Sequence, residues 1–122
     1  MSKKIIFTDK APAAIGPYSQ AILSGNTLYV SGQIAIDLAP LGDVGQETKK
    51  ILENLGHILN EAQMNYSNVV KTSIFLKNMD DFQIVNEVYG SFFNENPPAR
   101  ETIQVAKLPK DVNVEISVIA VL

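Results

Sequence analysis

The sequence predicts an α+β domain in which two helices cover one face of a six-stranded mixed sheet. Three observations carry that prediction. Two segments repeat apolar residues at three- and four-residue spacing, about six others have strand character, and together they run in the order ββ(β)αβαββ. A chain of 122 residues with 46% hydrophobic side chains falls within the range of a single domain, here 1–122.

Short strands are expected at Lys4 to Phe7 and Ser19 to Leu23, with another at Leu28 to Ser31. Gly25-Asn26-Thr27 supplies the turn chemistry for a hairpin between the last two. Asp43 is the expected cap of a first helix running into the low sixties, with Ile51, Leu55, Ile58, Leu59 and Ala62 on one stripe. A strand at Val69 to Leu76 leads to a second helix that begins near Asp80 or Asp81. That helix spaces Phe82, Val85, Tyr89, Phe92 and Phe93 along one side and is stopped by Asn96-Pro97-Pro98. The last strands are expected at Thr102 to Leu108 and Val112 to Val121, joined through Pro109-Lys110-Asp111.

Two helices can cover only one face of such a sheet. In the last strand Val112, Val114, Ile116, Val118 and Ala120 point one way, and Glu115, Ser117, Ile119 and Val121 the other. Both faces are partly apolar, so the uncovered one is expected to be buried against another copy of the chain, with polar chemistry at the subunit boundary.

Composition narrows the chemistry. Thirteen acidic against ten basic residues give a net charge of −3, so nucleic acid is a poor expectation as partner. With no cysteine and one histidine, disulfides, thiolate nucleophiles and multi-His or Cys-based metal sites are excluded, and no metal site is expected. The run after Lys3-Lys4 is far too short for a secretory segment, and nothing approaches the roughly 20 apolar residues of a membrane span. A cytoplasmic protein is expected.

Glu115 is the first candidate for chemistry, because a glutamate amid Val and Ile must be paired, hydrated or useful; the plain alternative is a side chain facing solvent. Arg100 follows the stiff Asn-Pro-Pro-Ala turn, where its guanidinium fork could grip a carboxylate, although most arginines are surface charges. If Pro109-Lys110 centres a hairpin, Gln104 faces Glu115, Thr102 faces Ser117, and Arg100, Thr102 and Glu115 share one face. The four-residue offset is then about 13 Å along the strands, room for a small acid. Gly32, with Ser31, lies where a glycine near a strand end marks close approach by a ligand or another backbone, or only punctuates a turn. Tyr18 reads equally as ligand-facing phenol or core residue, Asn86 as a solvated helical amide, and His57 as structural. Gly42 and Gly45 lack phosphate-loop spacing.

Five stretches occur together in one order: Ala14-Ile15-Gly16-Pro17-Tyr18-Ser19-Gln20-Ala21; Leu28-Tyr29-Val30-Ser31-Gly32-Gln33-Ile34; Val70-Lys71-Thr72 with Met79-Asp80-Asp81-Phe82; Pro97-Pro98-Ala99-Arg100; and Leu108-Pro109-Lys110 leading to Val114-Glu115-Ile116. Over nearly its whole length the chain thereby resembles the RidA/YjgF family. The resemblance implies a chorismate-mutase-like (YjgF-type) fold, a homotrimer with pockets between neighbouring subunits, and no cofactor. It implies hydrolysis of enamine and imine intermediates, 2-aminoacrylate/2-iminopropanoate and 2-iminobutanoate, to the 2-keto acid and ammonia. Carried onto this sequence, Arg100 would hold the substrate carboxylate and Glu115 would activate water, while Tyr18, Ser31, Gly32 and Asn86 would shape the pocket or bind the substrate nitrogen.

Thr102 stands where many members carry cysteine; it keeps a hydrogen-bonding hydroxyl but has no thiol for redox switching. The segment from Asp37 to Gly42 is shorter than the family's usual one and lacks its Thr-Gly-Glu. The competing functional readings are a non-catalytic trimer that binds a small metabolite and an RNA-cleaving or translation-inhibiting relative.

Overall fold

The computed structural model describes residues 2–122; Met1 lies outside the described residues. Its elements are β1 (Lys4–Ile6), β2 (Ala21–Ser24), β3 (Thr27–Gln33), α1 (Val44–Glu61), β4 (Val69–Leu76), α2 (Phe82–Phe92), β5 (Ala99–Gln104) and β6 (Val114–Val121). The strands form one mixed sheet in the order β1-β2-β3-β6-β4-β5. Every neighbouring pair is antiparallel except β4 and β5.

Local chemistry explains most of these boundaries. Asp43 caps α1 by accepting from the Gln46 amide, and Gly25, at φ 60°, turns β2 into β3 so that Ser24 pairs with Thr27. Along α1 the stripe Ile51, Leu55, Ile58, Leu59 and Ala62 is buried, as its spacing predicts. It packs with Val85 and Tyr89 of α2 onto Leu28, Val30, Ile74, Val114, Ile116 and Val118, which form the covered face of the sheet. A short turn at Met79–Asp81 precedes α2, so that helix starts at Phe82, one residue beyond the range its sequence suggested.

The final hairpin expected from the sequence does not form. β4, α2 and β5 make a βαβ unit, since strands joined through a helix of this length return parallel, and β5 becomes the sheet's edge. β6 enters between β3 and β4, antiparallel to both. The chain crosses the end of β4 on the way: Val105 N donates to Leu76 O at 3.0 Å, and Lys77 N to Asn113 O at 3.0 Å. β5 accordingly begins at Ala99 and ends at Gln104, earlier at both ends than the Thr102 to Leu108 expectation.

The other face of the sheet carries no helix. Ile5, Tyr29 and Ile103 are 62%, 51% and 46% exposed there, beside half-buried Phe75 and Ile119. The partly apolar second face expected from β6 is therefore present.

Candidate active site

Glu115 projects from β6 on the open face, in one row with Phe75 and Ile103. Its carboxylate folds over Gly32, where a β-carbon would stand 2.7 Å from Glu115 Cδ. The β3–β6 register shifts between Val30 and Gln33, a bulge that Ser31 and Gly32 occupy. The close approach expected at Gly32 is thus made by the Glu115 side chain, and not by another backbone. Burial pushes its carboxyl above the ordinary glutamate value, and no cation pairs with it among the described residues.

Glu115, Gly32, Ser31 and Tyr18 line a cavity of about 770 Å³, completed by residues 12–15, Gln20, residues 33–38, Pro109 and the α1 side chains Lys50 and Asn54. Its walls are tied by hydrogen bonds. Ser31 Oγ donates to Ser19 O at 2.6 Å, and the Tyr18 hydroxyl accepts from Ile15 N at 3.4 Å. Buried Gln20 accepts from Thr8 N at 2.8 Å and donates to Pro12 O at 2.9 Å, fixing the loop that forms one wall. Glu47, fully buried in the first turn of α1, accepts from Asn113 N, Val114 N and Asn113 Nδ2 at 2.9, 3.2 and 2.7 Å. That grip holds the backbone immediately before Glu115. Gln20, Glu47 and Asn54 escaped sequence reasoning, although Asn54 interrupts the apolar stripe of α1 at a spacing that marks it as buried.

Arg100 projects from β5 on the helix side. Its guanidinium carbon lies 4.9 Å from the Tyr89 ring centroid and 5.8 Å from that of Phe82, and Nη1 donates to Asn86 Oδ1 at 2.8 Å. Asn86, exposed on α2 as a helical amide is expected to be, is also a partner of Arg100. No carboxylate pairs with Arg100 among the described residues, and the buried Thr102 Oγ1 beside it has no partner. A cation stacked on two rings with donors left over is built to meet an anion.

The two groups do not meet within one chain. Arg100 aligns with Thr72 and Val118 on the covered face, whereas Glu115 aligns with Phe75 and Ile103 on the open one. This corrects the expected register, in which Arg100, Thr102 and Glu115 shared a face; that alignment required the hairpin that β4 displaces. His57 is exposed on α1 and outside the cavity lining. Among the described residues, no three His, Cys, Asp or Glu side chains converge as metal ligands, and no helix is long and apolar enough to cross a membrane.

The family model described as "Endoribonuclease L-PSP" matches residues 8–122. A 2-iminobutanoate/2-iminopropanoate deaminase of Rattus norvegicus is 52% identical over 98% of this chain and 90% of its own length. The chain belongs to the RidA/YjgF family. Solved RidA/YjgF structures superpose closely: RidA from the Antarctic bacterium Psychrobacter sp. PAMC 21119 has a TM-score of 0.91 at 39% identity, covering 98% of this chain and 99% of that one. E. coli TdcF, with bound serine, has a TM-score of 0.90 at 39% identity, covering 98% of both. The resemblance read from the five motifs and the RidA/YjgF-type sheet with two helices on one face are thereby established.

Proposed function

We propose that this chain hydrolyses short 2-imino acids, 2-iminopropanoate and 2-iminobutanoate with their enamine tautomers, to 2-keto acids and ammonia in a homotrimer. One observation carries the reading: Arg100 and Glu115 lie on opposite faces of one sheet, each without a group of opposite charge to pair with among the described residues. A second copy laid on the open face brings the edge strand of one chain to the cavity of the next. The exposed apolar face, the relatives named as deaminases and the relative holding serine, an amino acid with a carboxylate, support this arrangement. A setting in the cytoplasm suits a chain without cysteine.

In the proposed reaction Arg100 of one copy clasps the substrate carboxylate through parallel N–H donors, held flat by Tyr89 and Asn86. Glu115 of the neighbouring copy takes a proton from water as the oxygen bonds to C2 of the imine. Glu115 returns that proton to the nitrogen, which gives the carbinolamine; as the C–N bond breaks, the hydroxyl proton passes through Glu115 to the departing nitrogen, which leaves as ammonia, and the C2 carbonyl forms. A glutamate held above its ordinary value is suited to taking and returning a proton near neutrality. Ser31, Gly32 and Tyr18 shape the wall beside the reacting carbon, and the free Thr102 hydroxyl is available to the substrate carboxylate. The RNA-cleaving reading suggested by the family's description finds little electrostatic support, since Asp37 and Glu115 face the cavity against Lys50 alone.

The test generates 2-iminobutanoate in situ with threonine dehydratase and follows its decay. Arg100→Ala and Glu115→Gln each lower kcat/KM by about 100-fold or more. The wild-type acidic limb has its midpoint above the ordinary glutamate value of 4.5, because activity needs the ionised form and burial raises the carboxyl; that limb vanishes in Glu115→Gln. Undiminished decay in Glu115→Gln would refute the mechanism.

A further inference from the structure

We propose that the cavity holds a second recognition point, Asn54 with Lys50 on α1, which selects 2-imino acids whose side chain ends in a neutral hydrogen-bond acceptor. The inference rests on the proposed reaction at Glu115. Size is the first argument. Cavities of roughly 300–1,000 Å³ ordinarily enclose drug-sized ligands, and at about 770 Å³ this one far exceeds an acid of three or four carbons. Its lining extends past Glu115 and Gly32 to α1, between apolar walls from Pro12, Ile34, Ala35 and Leu38.

Polarity is the second argument. Asn54 lies on that lining, is 1% exposed, and its Nδ2 has no hydrogen-bond partner. Folded proteins rarely leave a buried amide donor unpaired, so an unpartnered one on a cavity wall implies an acceptor supplied from outside the chain. Lys50, one helical turn earlier and therefore on the same side of α1, forms no salt bridge among the described residues and offers further donors to the same oxygen. The other charged groups lining the cavity are Asp37 and Glu115. Two carboxylates against one ammonium disfavour a second anionic group on the ligand, which leaves a carbonyl, carboxamide or sulfoxide oxygen at the end of a short apolar stem.

The test compares two imines of matched length, generated by an L-amino-acid oxidase from norleucine and from methionine sulfoxide, with 2-iminobutanoate as reference. The wild-type chain is expected to favour the sulfoxide imine in kcat/KM by about tenfold, on the order of a hydrogen bond's worth, and Asn54→Leu, with Lys50 still in place, to lower that ratio by about threefold or more. Should Asn54→Leu not fold, Asn54→Ala serves as the second variant. A wild-type ratio near one, or a ratio that survives loss of the amide, overturns the inference. Turnover of 2-iminobutanoate but of neither longer imine also overturns it, since a neighbouring copy then fills that part of the cavity. No turnover of 2-iminobutanoate instead refutes the proposed reaction itself.

Discussion

A methyl group at Gly32 would stand 2.7 Å from Glu115 Cδ and 3.0 Å from Cγ, so Gly32→Ala forces the carboxylate aside while leaving the strand's backbone free to form. The expected outcome is a loss in kcat of about tenfold to 100-fold with little change in the unfolding midpoint, read from imine decay and urea titration. Unchanged kcat would show that the carboxylate position is immaterial. The raised value of Glu115 also has a stability consequence. A carboxyl raised in the fold contributes stability below its unfolded value, and that contribution is lost as pH rises through the folded one. The isolated chain thus holds Glu115 at some cost in neutral solution. Such residues were visible in the sequence one at a time: Glu115 by interrupting an apolar strand, Gly32 by its place at a strand end. What each one touches was not visible, because contact between neighbouring strands depends on pairing that local pattern does not encode.

Among the elements, the periodic ones were legible and the long-range pairings were not. Asp43, the α1 stripe and the β4 limits follow from capping and spacing. The placement of β5 and β6 required asking which strand each joins, and the turn chemistry of Pro109-Lys110-Asp111 suggested the wrong partner. The better signal was the helix between β4 and β5, which demands parallel pairing and leaves β6 to fill the sheet's centre. Glu47 illustrates the same limit. In sequence it is an acid in the first turn of a helix, a common dipole partner; in the fold it is a buried acceptor for three N–H groups at the start of β6. Glu47→Ala leaves those donors buried and unpaired, with an expected loss of about 3–5 kcal/mol in urea unfolding at unchanged m-value. A loss below about 1 kcal/mol would mean that water replaces the carboxylate without penalty.

On the scale of the whole molecule, the proposed site is divided: its two halves lie in one chain, and the sheet keeps them apart. The arginine half faces α2 at the sheet's edge, and the glutamate half opens on the uncovered face with its apolar residues. In a ring of copies each interface would join one half from each neighbour, a head-to-tail arrangement that closes on itself. That arrangement makes a direct prediction about two inactive variants. Arg100→Ala and Glu115→Gln chains, unfolded together in equal amounts and refolded, should recover about a quarter of wild-type imine hydrolysis, because one interface in four then pairs an intact arginine with an intact glutamate. Recovery no greater than the sum of the two variants refolded separately would contradict a site shared between copies.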